Sequence, residues 1–246
     1  MTLETHPEPS KMIWQAVAIG AGIAGVAAAQ TLFAHGKSVL VLEKSRGVGG
    51  RMATRRMGEI RFDHGAQYFT ARHPLAQLRA AEWTKAGIIK EWPAPAECAN
   101  GEARWVAPAG MSSLPKSMAG GLTIHLNQTV TSIQRAYGCW QISTADGSKY
   151  QSQKLIATAP VPQILAMLDR GGTALEAPVE AALKRVEYHR CLAVMALLDG
   201  PSSMPAPGGF DPGVDPIIWM ADNTLKGLNQ GPGAITLHAS PAFSLE

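Results

Sequence analysis

A chain of 246 residues, 46% hydrophobic and only 17% charged, can build one large domain or two small ones and does not have the composition of a disordered protein. Its net charge of +3 is too small to indicate nucleic acid by itself. Cys98, Cys139 and Cys191 are far apart and odd in number, so they form neither a metal pattern nor a disulfide framework, and a reducing, cytoplasmic setting is expected.

Residues 1–11, MTLETHPEPSK, carry acids and two prolines without a basic-then-apolar export pattern, and read as a disordered tail. Met12 to Phe33 is nearly apolar enough for a membrane span. Its glycines break that reading, and no membrane partner is expected.

Val17–Ile19 is a short apolar run and predicts a buried strand. Gly20, Gly22 and Gly25 then form G-x-G-x-x-G. Ala27–Ala34 predicts a helix, which Gly36 is placed to end, and Val39–Leu42 predicts a second buried strand. Gly20 suits a tight turn, Gly22 lets a pyrophosphate approach the backbone, and Gly25 lets helix and strand pack closely. The helix amino end offers N–H groups and a positive dipole to phosphates. Glu43 lies 18 residues after Gly25, where a carboxylate can accept a ribose hydroxyl. The same charge repels a 2′-phosphate, which favours FAD or NAD over NADP. An ordinary glycine-rich turn is the competing reading. The strand before, the helix after, the second strand and the acid together argue against it.

Six residues after Glu43 comes Gly49-Gly50-Arg51. This combination resembles the flavin-binding fold shared by amine oxidases and their relatives. There the arginine contacts FAD, so the resemblance puts FAD ahead of NAD. Lys44, Arg46, Arg51, Arg55, Arg56 and Arg61 crowd this region with Glu59 as the one acid among them. The cluster reads mainly as solvated surface, and it also suits a phosphate-rich ligand. It lacks the interleaved aromatics of a single-strand binder, and no nucleic-acid partner is expected.

The segment Arg61 to Arg72, RFDHGAQYFTAR, follows. Gly65-Ala66 are small enough for backbone to lie close to a flat ring. GGRMATRR followed by DHGAQYFTAR resembles the renalases and their bacterial relatives. Arg104-Trp105-Val106 with Gly110-Met111-Ser112, Ile156 to Pro160, and His238-Ala239-Ser240 agree with it, so the resemblance runs from about Val17 onward. It implies an α/β architecture: a Rossmann-like FAD-binding domain of the glutathione-reductase and amine-oxidase type, with a second α+β substrate domain. The implied cofactor contacts are Gly20, Gly22, Ile23, Ala24, Gly25, Glu43, Lys44, Gly50, Arg51, Gln67 and Tyr68, with the backbone at Val130 holding the adenine. Phe69 reads as core packing, and His64 as a hydrogen-bonded structural residue rather than a catalytic one. No catalytic residue and no metal site is assigned.

Further along, Pro74–Glu91 predicts a mostly helical stretch and Trp92–Asn100 a loop. Ser112 or Ser113 caps a short helix ending near Ala119-Gly120-Gly121. Leu122–Leu126, Val130–Arg135, Trp140–Thr144 and Lys154–Thr158 predict a β-meander, with Asp146-Gly147 as a hairpin turn. Pro162–Asp169 and Pro178–Tyr188 predict helices, and Cys191–Leu198 a buried strand. Asp199–Pro216 is a Pro/Gly-rich loop, and Ile217–Ala221 and Ala234–Ala239 are further strands. The expected FAD-binding domain is residues 12–73 and 105–160; the substrate side is 74–104 and 161–246. The resembled fold closes with a returning strand, a Gly-Asp turn and a helix. None is seen here, so the chain is expected to lack that C-terminal segment and to hold flavin poorly.

The implied activity is oxidation of 2- and 6-dihydro isomers of NAD(P)H by hydride transfer to flavin, with dioxygen reduced to hydrogen peroxide. Such chemistry restores an aromatic pyridinium and needs no protein base. A flavin amine oxidase of another substrate class, or a non-catalytic dinucleotide-binding protein, are the alternatives. The oligomeric state stays open.

Overall fold

The computed structural model describes residues 12–93 and 102–246. The tail expected at 1–11, and most of the loop expected at 92–100 with Cys98, lie outside the described residues. In chain order the elements are β1 (Ile13–Ile19), α1 (Ile23–Ala34), β2 (Val39–Leu42), β3 (Thr54–Met57), β4 (Ile60–Asp63), α2 (Pro74–Lys85), β5 (Lys90–Glu91), β6 (Trp105–Val106) and α3 (Ser113–Met118). Then follow β7 (Thr123–His125), β8 (Val130–Ala136), β9 (Cys139–Thr144), β10 (Lys149–Ala157), α4 (Val161–Arg170), α5 (Ala177–Lys184), β11 (Ala193–Leu197), β12 (Gly209–Phe210), β13 (Ile217–Asp222) and β14 (Ala234–Ala239).

The described residues divide into two compact units. One holds residues 12–48 and 118–187; the other holds 49–93, 102–117 and 188–246. The boundaries drawn from the sequence at 73, 105 and 160 are therefore not those of the compact units.

The first unit is built on a six-stranded sheet in the order β7-β2-β1-β10-β9-β8. β7, β2, β1 and β10 run parallel, and β10, β9 and β8 form an antiparallel meander. The four strands expected as one meander thus separate. β7 pairs with β2, Leu40 opposite Thr123, and only the last three make the return. β2 is buried along its whole length, as a run of Val and Leu in a parallel sheet should be. Val17, Leu40, Leu42, Ile133 and Ile142 form the core with Met167 and Leu168 from α4. Asp146-Gly147 turns the chain between β9 and β10, with Gly147 at φ +88°. Asp146 Oδ1 accepts from Thr144 Oγ1 at 2.6 Å and from Ser148 N at 3.0 Å, and these bonds hold the carboxyl well below the usual carboxylate range.

The second unit carries an antiparallel sheet in the order β11-β14-β13-β12 and the hairpins β3-β4 and β5-β6. Two expectations are corrected here. The helix from Pro74 stops at Lys85; Gly87, at φ +69°, reverses the chain, and Lys90–Glu91 is a strand. β11 is not buried: Val194 is 55% and Leu197 49% exposed. It is the edge of its sheet, with β14 as its one neighbour, so its apolar run is covered less than that of a central strand. Among the described residues no helix is long and apolar enough to cross a membrane.

Candidate cofactor site

The first unit folds the sequence signature into a strand–turn–helix. β1 ends at Ile19, and α1 begins at Ile23 with Gly22 as its N-cap. The three glycines have three separate reasons. Gly20 sits at φ +100°, and a Cβ there would lie 2.9 Å from Thr158 Oγ1. A Cβ on Gly25 would lie 2.0 Å from the Gly20 carbonyl oxygen, so helix and turn touch at this point. A Cβ on Gly22 would meet nothing within 4 Å. Its smallness serves no contact inside the protein; it leaves open the space in front of the helix N-terminus.

Thr158, just after β10, clamps the turn. Its Oγ1 donates to the Ile19 carbonyl at 2.8 Å and the Gly20 carbonyl at 3.2 Å. Glu43, 6% exposed at the end of β2, clamps it from the other side. Ala21 N donates to Glu43 Oε2 at 2.7 Å, and Ser45 N donates to Oε1 at 2.8 Å. Two of about four lone-pair positions are thereby used, and the rest remain for a ribose hydroxyl. Ile23 and Ala24 open the helix, with Ala24 exposed, and their N–H groups have no partner within an α-helix. Lys44 is exposed and its Nζ donates to Gln163 Oε1 at 3.3 Å. Val130 is buried in the core where β8 starts, opposite Thr144.

In the second unit, Gly49 and Gly50 both have positive φ, +142° and +55°. Arg51 is exposed, with its guanidinium 5.9 Å from the Tyr188 ring centroid. The Arg51 carbonyl accepts from Ala66 N at 2.9 Å, and a Cβ on Gly65 would lie 2.1 Å from that carbonyl oxygen. The smallness of Gly65, read from sequence as room for a flat ring, is used to seat it on the Arg51 backbone. Gln67 is buried, with its Nε2 donating to the carbonyl oxygens of Asp63 and Gly65 while its Oε1 has no partner. Tyr68 is half-buried beside Trp92 and Trp219, at centroid distances of 6.2 and 5.7 Å. Phe69 packs edge-on to Trp83 and bridges to Trp105, the packing role expected of it.

An ion pair not singled out in the sequence lies under this segment. Lys226 Nζ is 2.8 Å from Asp63 Oδ2, and both side chains are fully buried. Asp63 Oδ1 accepts from Thr54 Oγ1 at 2.6 Å and Met111 N at 2.8 Å. Burial pulls the Lys226 ammonium below its ordinary pKa, and Asp63 pulls it back. The His64 carbonyl accepts from His238 Nε2 at 3.1 Å, which fixes the proton on that nitrogen of the neutral ring. Burial lowers the His238 pKa; the hydrogen bond to the His64 carbonyl opposes this, the Lys226 charge adds to the lowering, and the net direction is down. The sequence motifs contain Asp63, His64, Met111 and His238, but none of them points to Lys226. Among the described residues no group of three His, Cys, Asp or Glu side chains could hold a metal ion.

The strand–turn–helix of the first unit fits a dinucleotide cofactor, because the space in front of Gly22 is open at a helix N-terminus. In the second unit the Gln67 Oε1 is a buried acceptor without a donor.

Residues 19–81 match the family of NAD(P)-binding Rossmann-like domains, and residues 96–229 match flavin containing amine oxidoreductases. The chain is 32% identical to renalase of Mus musculus over 163 residues, 61% of this chain and 48% of the mouse protein. It is 42% identical over 64 residues to 1-hydroxycarotenoid 3,4-desaturase of Flavobacterium sp. (strain P99-3), 26% of this chain and 13% of that one. The alignment with the mouse protein thus spans about half of that relative's length. In fold it is similar to putrescine oxidase bound to putrescine, with a TM-score of 0.70 at 13% identity, covering 95% of this chain and 77% of that one. A Pyrococcus furiosus protein gives a TM-score of 0.66 at 15% identity, covering 92% and 79%. The flavin match covers more than half of the 246 residues, and the chain belongs to the flavin containing amine oxidoreductase family.

Proposed function

We propose that this chain is an FAD-dependent oxidoreductase of renalase type, acting on dihydronicotinamide dinucleotide isomers. The observation that carries the cofactor assignment is the cradle of the first unit. There Gly22 faces open space at a helix N-terminus and the buried Glu43 holds the loop. Gly20, Ile23, Ala24 and Gly25 surround the pyrophosphate, and Glu43 takes a ribose hydroxyl. Val130 is assigned to the adenine by its backbone. Lys44, Gly50, Arg51, Gln67 and Tyr68 are the remaining proposed contacts, with the Gln67 Oε1 accepting from a ligand N–H.

The chemistry supplied by the bound cofactor is two-electron: a dihydro-NAD(P) isomer, dioxygen and a proton give NAD(P)+ and hydrogen peroxide. The residues of this chain bind and orient. No side chain has to remove a proton, because hydride loss itself makes the ring aromatic. Support for the substrate class is the similarity to mouse renalase and the exposed arginines of the β3-β4 hairpin, Arg55 and Arg56. Protein supplied with FAD is expected to show the 450 nm band of bound flavin and to release peroxide with 2- or 6-dihydro-NAD(P). Peroxide release with amines and none with either isomer would overturn the substrate assignment.

A further inference from the structure

We propose that Arg104 recognises an anionic group of the substrate, a carboxylate or phosphate, and thereby selects against cationic amines. It rests on the reading above only in placing the substrate beside Tyr68.

Arg104 is 9% exposed, yet among the described residues its guanidinium donates no hydrogen bond and meets no carboxylate. A charge so little exposed and without a counter-ion keeps most of its attraction for an anion. Its position is fixed all the same: the guanidinium carbon lies 4.6 Å from the Tyr68 ring centroid and 6.0 Å from that of Trp219. The anion Asp63 does not compensate it, because Asp63 is committed to Lys226, Thr54 and Met111. The Asp63–Lys226 pair is neutral as a whole, so the cluster keeps one unbalanced positive charge.

A second orphan lies in the same cluster. Trp219 Nε1 is buried and has no acceptor. Two donors of different kinds therefore lack oxygen partners around one set of rings. A planar guanidinium presents paired N–H groups matched to a carboxylate or phosphate, and its stacking on Tyr68 keeps that fork oriented. An ammonium ligand would meet a like charge there without screening, which is a repulsive basis for specificity.

The test compares nicotinamide mononucleotide with nicotinamide riboside, which differ by one phosphate. Both are titrated against the protein as purified, with quenching of tryptophan fluorescence as the signal, since Trp92 and Trp219 line the cluster. The mononucleotide is expected to bind about tenfold tighter or more, the scale of a charge-assisted hydrogen-bond pair. Arg104→Gln should abolish that preference, and Arg104→Lys, which keeps the charge without the fork, should retain part of it. Equal binding of the two probes by wild type, or an unchanged preference in Arg104→Gln, overturns the proposal. Should Arg104→Gln fail to fold by circular dichroism, an undiminished preference in Arg104→Lys overturns it. The 450 nm band, read separately, reports the cofactor. Loss of flavin from a folded Arg104→Gln would make the residue a cofactor contact and overturn the proposal. A wild type that prefers the phosphate but binds no added FAD would overturn the flavoenzyme reading and leave Arg104 standing.

Discussion

Lys226 and Asp63, far apart in sequence, face each other at 2.8 Å with neither side chain exposed. The pair ties the strand end of the DHGAQY segment to the loop after β13. Breaking it from one side leaves the other charge buried alone. Lys226→Met is expected to cost about 3–5 kcal/mol, and Asp63→Asn with Lys226→Met together less than the sum of the two. Urea denaturation of the two single variants and the double variant measures this coupling.

The glycines of the signature separate experimentally. Gly22→Val should leave the melting temperature near that of wild type, because its Cβ enters open space, and should abolish flavin binding. Gly25→Ala should destabilise the protein before any ligand is added, because its Cβ falls 2.0 Å from a backbone oxygen. Thermal melts with and without FAD distinguish the two. Full flavin occupancy in Gly22→Val would remove the pyrophosphate from this loop.

Glu43 holds the loop, and with the ribose contact proposed for it its removal should show in two measurements. Glu43→Gln keeps one acceptor and turns an NH2 group toward either Ala21 N–H or Ser45 N–H. A loss of about 1–3 kcal/mol is expected in the absence of ligand, from the buried N–H left unpaired. Weaker flavin binding, read by fluorescence titration, should come in addition. A stability loss with unchanged flavin affinity would confine Glu43 to the loop.

His238 gives a pH dependence of definite sign. Its folded pKa lies below the ordinary value of 6.5, so the unfolded chain takes up a proton first as pH falls. Stability contributed by the neutral ring is complete above about pH 6.5 and declines as pH drops from there toward the folded pKa. Melting temperature measured from pH 8 to 5 should fall less in His238→Gln than in wild type. An identical profile would show that this ring does not set the acid limb.

Much of the first unit is legible in the residues. Val39–Leu42 has to be a buried strand, and the glycine spacing together with Glu43 fixes a strand–turn–helix because each position has a single steric or electrostatic solution. Asp63 and Lys226 were not legible, since a lone Asp and a lone Lys reveal their pairing only when folding brings them together. Arg104 was read as part of a motif, and its missing partners could be seen only in three dimensions. The helix drawn past Gly87 and the burial assigned to β11 fail for one reason: apolar runs record composition, while sheet edges and reversals are decided by neighbours.

The clamp by Thr158 has a consequence for biosynthesis. The signature from Gly20 to Gly25 leaves the ribosome early, but the hydroxyl that pins the Gly20 carbonyl is 138 residues downstream. β1 also waits for β10, its parallel neighbour on one side, while residues 49–117 are made in between. Contacts of such long separation form late. A nascent chain halted before Thr158 carries the whole glycine signature without the clamp on its loop, so the cofactor capture proposed for this loop would follow the closing of this sheet and would not guide the first steps of folding.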